Sequence, residues 1–233
     1  MLVRWDYDDP INNANQGSQS NTAVVLPLLV CPSDDILQNP ITMTTRNWVY
    51  ALTSYGGNGG TRSYFPQQST ADGVFHTTGQ ASEPKNNQRP IRPQDITDGL
   101  TRTILFGERS HSDPDYKSFN DNGWGEPLDQ QGWWGASTSR KMIGHVTMSA
   151  YAPINYQLPF SFAGRFNQNP SAGSFNDFQY YVDLRICAYG SEHPQGANFC
   201  FADGSTRFLT SQTDMTVLRA LSTRAAAEPG EAD

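Results

Sequence analysis

Apolar positions along this chain recur mostly at strand spacing. Ala197-Asn198-Phe199-Cys200-Phe201 alternates and puts Phe199 and Phe201 on one face of an extended segment. Asp203-Gly204 follows as a hairpin turn, and Thr206-Arg207-Phe208-Leu209 supplies the return strand. The stretch from Thr101 to Glu108 contains Ile104-Leu105-Phe106 and predicts a buried strand, entered through the turn Asp95-Ile96-Thr97-Asp98-Gly99. Residues 47–55 predict another strand, broken by Gly56-Gly57-Asn58-Gly59-Gly60. Val24 to Val30, interrupted by Pro27, predicts a short edge strand, because proline has no N–H for a central ladder. Asp72-Gly73-Val74-Phe75 predicts a turn entering a further strand. One helix is predicted. Thr213 or Asp214 can cap a segment running to about Arg224, along which Met215, Leu218 and Leu221 form one apolar stripe.

The stretches between are polar or irregular. Residues 77–94 read as linker and residues 110–132 as a long polar loop carrying Trp124. Residues 145–182 are aromatic with no helical period and resist ordering into strands. The chain divides into a polar N-terminal segment (1–25), one β-rich domain (26–225) and an acidic tail (226–233). Composition agrees: with 20 Gly, 15 Pro, 17% charged and 12% aromatic residues, turn and strand formers outweigh helix formers. The expected fold class is α+β, predominantly antiparallel β, with long loops and a short C-terminal helix.

Charge and motifs exclude several functions. The net charge is −7, and the 16 basic residues are scattered, so the clustered cations of a phosphate-binding surface are missing and no nucleic-acid partner is expected. No run of 18 apolar residues could span a bilayer as a helix, and Met1-Leu-Val-Arg-Trp-Asp is no signal peptide. The chain contains no GxSxG elbow, HExxH helix or EF-hand loop, and Gly56 to Gly60 lacks the Lys-Ser/Thr of a phosphate loop. A non-catalytic body is expected. Cys31, Cys187 and Cys200 form no CxxC pair. Cys187 and Cys200 could be bridged on neighbouring strands, or all three could be buried thiols.

Six residues are candidates for chemistry, each with a structural alternative. His193 reads as a metal ligand or general base, or as a histidine bonded to loop backbone. Asp203 reads as an oxygen ligand for Ca²⁺, or as the acceptor of an Asx turn. Glu108, at the end of an apolar run, reads as a third Ca²⁺ ligand, as a catalytic acid beside Glu126 or Asp129, or as one half of an ion pair with Arg109, Arg102 or Arg207. Trp124, Trp133 and Trp134 lie among Asn, Gln, Asp and Gly, as in a glycan-binding module whose aromatic faces stack on sugar rings; core packing is the alternative. No cofactor is certain from these residues; Ca²⁺ is the one they allow.

The most specific string is His193-Pro-Gln-Gly-Ala-Asn-Phe-Cys-Phe-Ala-Asp203-Gly204. With Cys31-Pro32-Ser33-Asp34, Ser54-Tyr55-Gly56-Gly57-Asn58, Asp72-Gly73-Val74-Phe75, Ile96-Thr97-Asp98-Gly99 leading to Leu105-Phe106-Gly107-Glu108-Arg109, and Leu218 to Arg224, it resembles the DUF1559 family of prepilin-type proteins with an H-x9-DG segment, abundant in planctomycete-like bacteria. The strings run in family order over residues 24–224. The resemblance implies a pilin-like globular body on the periplasmic or extracellular side of the cell envelope, a subunit of a pilus-like or pseudopilus-like assembly used in adhesion or type II secretion-like export. Its partners would be other pilin-like subunits or envelope proteins. An extracellular polysaccharide-binding module is the alternative, and a hydrolase a more distant one. The resemblance further implies an upstream apolar anchor helix that packs on the sheet. This sequence lacks that helix and is expected to be a fragment, with an apolar sheet face left exposed or covered by loops.

Overall fold

The computed structural model describes residues 3–43, 47–64, 68–76, 89–124, 128, 131–135, 143–163 and 174–226. Its centre is a five-stranded sheet. The expected hairpin forms from β6 (Gly196–Phe201) and β7 (Thr206–Thr210), and β4 (Ile104–Glu108) pairs antiparallel with β6. Gly204 closes the turn at φ 84°, a conformation that glycine adopts without a side-chain clash. On the other side of β4 lies β3 (Tyr55–Asn58), and β5 (Thr147–Met148) adds to it in parallel. The order is β5-β3-β4-β6-β7, and every pairing except β3–β5 is antiparallel. A separate antiparallel pair joins β1 (Ile41–Met43) to β2 (Trp48–Tyr50). The architecture is α+β and mostly sheet-rich. None of the described helices is long and apolar enough to cross a membrane.

The glycines expected to break a strand instead form β3. A Cβ on Gly56 would lie 2.7 Å from the Met148 sulfur, and one on Gly57 would lie 2.7 Å from the Phe75 ring. Both faces of this strand are packed against neighbours, and only glycine fits. One predicted strand does not form: residues 24–30 hold a single 3-10 turn at Pro27–Leu29. The predicted turn at Asp72–Phe75 is a bend pressed against β3, and residues 77–88, into which it leads, lie outside the described ones. Two helices occupy stretches read as irregular: α1 (Pro114–Asn120) and α3 (Ser174–Cys187); the short α2 (Ile143–Val146) leads into β5. In α3, every residue from Val182 to Cys187 is buried, polar and apolar alike. A stretch of helix buried on every side has no polar face to betray its period. The C-terminal helix α4 (Met215–Ser222) matches expectation: the Asp214 carboxylate caps it by accepting from Thr216 N at 2.7 Å, and Leu218 is buried.

One sheet face carries the main core: Ile104, Phe199, Phe201 and Ala197 pack with Met148, Tyr189, Ile154 and Leu218 of α4. The opposite face carries Phe106, Cys200, Asn198 and Phe208 on adjoining strands. Cys200 therefore points away from Cys187, which lies in a different cluster with Tyr64, Tyr116 and Val182. All three cysteines are free, and the bridge between Cys187 and Cys200 does not form. Burial pushes the Cys187 thiol above its ordinary pKa.

Asn58, fully buried at the end of β3, joins the layers. Its Nδ2 donates to Ile104 O at 2.7 Å and Ser222 O at 2.9 Å; its Oδ1 accepts from Gly60 N at 2.8 Å and the Tyr189 hydroxyl at 2.9 Å. Beside it, Phe75 N donates to Asn58 O, and Arg224 N donates to Asp72 O.

Below the small β1–β2 pair, Tyr50, Trp133 and His145 stack face to face, with centroids 3.9 and 4.0 Å apart. Burial, and then the nearby Arg109 charge, lower the His145 pKa from 6.5 to about 3. A depressed base is neutral when folded and takes up its proton on unfolding. Its stabilising contribution is complete above pH 6.5 and is lost as pH falls toward 3, at no more than about 1.4 kcal/mol per pH unit. The urea midpoint is expected to fall between pH 7 and pH 4.5, and to fall less in His145→Phe, which keeps the stack without titrating. Equal losses in the two proteins would refute this.

Candidate functional site

Three segments distant in sequence meet at the end of the sheet where β4 finishes. Glu108 is the last residue of β4 and is buried. Its carboxylate continues the ladder, accepting from Asn198 N at 2.6 Å and from Asn198 Nδ2 at 3.1 and 3.2 Å. Cys31 arrives two residues after the 3-10 turn at Pro27–Leu29. Its N–H donates to Ser54 Oγ at 2.9 Å, and Ser54 N in turn donates to Leu29 O. His193 sits in the turn before β6. Its N–H donates to Ser191 Oγ, whose hydroxyl donates to Gly196 O at 2.7 Å. These backbone anchors bring the three side chains together. His193 Nε2 lies 3.5 Å from Cys31 Sγ and 3.5 Å from Glu108 Oε1, and the three donor atoms lie within 4.8 Å of one another. Cys31 and Glu108 are buried, while the His193 side chain is 34% exposed and forms the open side. Tyr55 pairs with Glu108 across β3 and β4. Burial, then the charges of Cys31, Glu108 and Asp34, push its phenol above the ordinary value.

The geometry is not that of a nucleophile relay. In such a relay the nucleophile meets one imidazole nitrogen and the orienting carboxylate the other. Here thiol and carboxylate converge on the same nitrogen. A second histidine nearby is committed to structure. His111 Nδ1 lies 2.7 Å from Asp34 Oδ2, and its Nε2 lies 2.9 Å from Gln131 O, so neither nitrogen is left for a substrate. Burial alone would raise the Asp34 carboxyl; the hydrogen bond and charge of His111, with Ser54 and the His111 N–H, outweigh it and hold it below the ordinary value.

The structure thus brings together two of the three residues read as Ca²⁺ ligands. Asp203 stands apart, in the exposed turn at the far end of β6, roughly 20 Å of strand away. Its Oδ1 accepts from Ser205 N at 2.9 Å and from Ser205 Oγ at 2.7 Å, the Asx-turn arrangement. The Ser205 hydroxyl, then its amide, hold the carboxyl below the ordinary value. None of the three expected arginines pairs with Glu108. Arg109 turns inward and donates to Gly144 O and Thr147 O, and burial, followed by the charge of Arg185, lowers it to about 10. Arg207 lies over the Phe201 ring and donates to Thr101 O. Glu126 and Asp129, the suggested partners in catalysis, lie outside the described residues.

The tryptophans are distributed among packing clusters. Trp133 is 1% exposed, clasped between Tyr50 and His145, and its faces cannot reach a sugar ring. Trp134 donates its ring N–H to Val24 O at 2.9 Å and meets Trp5 edge-on. Trp124 packs near Phe162 against the cluster around Phe119. Cys31 is the site residue that sequence reasoning missed. The signal lay in Cys31-Pro32-Ser33-Asp34, a string that places a thiol in the cluster and Asp34 against His111.

Fold and site together define a β-rich α+β body whose motif strings converge on one sheet and whose thiol, carboxylate and imidazole gather at its end. The chain belongs to the family described as a protein of unknown function, DUF1559, whose sequence pattern matches residues 4–216. No curated protein and no solved structure matches it.

Proposed function

We propose that this chain is the non-catalytic globular body of a pilin-like subunit in a cell-envelope assembly, on the periplasmic or extracellular side. The observation that supports it is the outer sheet face. Phe106 on β4 is 40% exposed and Phe208 on β7 is 47% exposed, with Cys200 of β6 between the two strands. Phe75 covers Gly57 and touches Phe106, with ring centroids 5.1 Å apart, and so extends the apolar strip to β3. Phe106 on β4 and Phe208 on β7, two strands apart, together with Phe75 lying over β3, make a surface suited to an apolar helix laid across the sheet. The convergence of thiol and carboxylate on one histidine nitrogen supports a body without a catalytic relay.

Mass spectrometry of the native protein in an envelope fraction tests this reading. An N-terminus upstream of Met1, beginning with a processed apolar helix, is the expected result. A native protein that begins at Met1 and is recovered from the cytosol would overturn it.

A further inference from the structure

We propose that Cys31 Sγ, Glu108 and His193 Nε2 form a binding site for a zinc-class divalent metal ion, with water in the fourth position. Distances carry the inference. Tetrahedral zinc with bonds of about 2.3 Å to sulfur and about 2.0–2.2 Å to nitrogen and oxygen sets its ligands about 3.5 Å (S to N) and about 3.4 Å (N to O) apart. The thiol–imidazole and imidazole–carboxylate separations are both 3.5 Å. As hydrogen bonds the same contacts are weak, because one Nε2–H shared between a thiol and a carboxylate oxygen 3.5 Å away serves neither well. One cation on that nitrogen's lone pair satisfies all three groups.

The surroundings fit a held ligand set. Glu108 is fixed by the main chain and side chain of Asn198, the outer-shell bonding that orients a metal-bound carboxylate. Cys31 and His193 are placed by backbone N–H bonds to Ser54 and Ser191. The soft thiolate and the imidazole select zinc, cobalt or copper over calcium, which prefers oxygen alone. Binding takes the metal onto the Cys31 thiolate, releases the thiol proton to solvent, and uses the His193 tautomer protonated at Nδ1. The ion would fasten the stretch around Cys31 to the end of β4 and to the turn before β6. The inference does not rest on the pilin-like reading, since a metal of this kind suits any role of the body.

Cobalt provides the test. The reduced 233-residue chain, stripped with chelator, is expected to bind one Co²⁺ and develop a thiolate-to-cobalt charge-transfer band that zinc abolishes by displacement. Cys31→Ser is expected to lose that band, and His193→Ala to weaken zinc binding about 100-fold or more. Should either variant fail to fold, alkylation of the wild-type chain followed by peptide mass spectrometry decides: zinc should slow modification of Cys31 and leave Cys200 unchanged. Calcium should leave both cysteines unchanged. Cobalt bound without the charge-transfer band, no zinc binding at micromolar concentration, or Cys31 alkylated equally fast with and without zinc would each overturn the proposal.

Discussion

Asn58→Asp is expected to cost about 3–6 kcal/mol at neutral pH, a large part of the total stability of a domain this size. The change is nearly isosteric, so packing is not the cause. The two acceptor bonds, from Gly60 N and the Tyr189 hydroxyl, survive. The two donors do not, and a carboxylate oxygen then faces Ile104 O and Ser222 O at distances now 2.7 and 2.9 Å. Each orphaned buried carbonyl costs about 1–3 kcal/mol, and the unpaired charge adds to that or forces the carboxyl to take up a proton. The second option makes the prediction specific. Protonation restores one donor, so the gap between wild type and variant should narrow as pH falls. Urea denaturation at pH 7 and pH 5 measures both effects. A difference under about 1 kcal/mol at pH 7, or a gap that widens in acid, would refute the account.

The role of Asn58 explains how much could be read from the chain and how much could not. The hairpin, β4 and the capped C-terminal helix were legible, because alternation, an Asp-Gly turn and an apolar stripe with an N-cap are local signals. Gly56-Gly57 gave the opposite signal: glycine weakens an isolated strand, and only Met148 and Phe75, far along the chain, make it the residue that fits. Helix α3 was hidden for a related reason, since burial of every residue from Val182 to Cys187, polar and apolar alike, erased the period of its second half. The motif strings were visible as patterns without their purpose. Three of them, ending at Asn58, running through Asp72-Gly73, and closing at Arg224, bond to one another. The Asp72 carboxylate accepts from Thr61 N at 2.9 Å, and Arg224 Nη1 donates to Ala71 O at 2.7 Å and also to Gly73 O. Asp98, from a fourth string, accepts from the Thr223 hydroxyl. The candidate site was half legible: Glu108 and His193 stood out as ionisable groups at strand ends, whereas Cys31 lies 162 residues from His193 and no spacing rule connects them.

Asp113→Ala is expected to have a comparable cost, about 3–5 kcal/mol, by a different mechanism. Asp113 and Arg185 form a buried ion pair at 2.9 Å, with both side chains at or below 4% exposure. The same carboxylate caps α1 by accepting from Tyr116 N at 2.9 Å and accepts from Leu158 N at 3.1 Å. Removing it loses a cap worth about 1 kcal/mol and leaves the Arg185 guanidinium buried with only the carbonyls of Ser110 and Ser112. The stranded cation is the larger part, so removing it as well should help. Asp113→Ala combined with Arg185→Met is expected to be less destabilised than the sum of the two single changes. A double-mutant cycle in urea measures that coupling, and additivity within about 0.5 kcal/mol would refute it. The pair also bears on the site at the end of the sheet. Arg185 holds Ser110 O, and the Ser110 hydroxyl donates to Glu192, the neighbour of His193. The chain leaving Glu108 and the turn carrying His193 are thus bonded directly to each other, and Arg185 of α3 holds the Ser110 end of that link, so the ion pair braces a neighbour of the thiol–carboxylate–imidazole cluster without touching any of its three members.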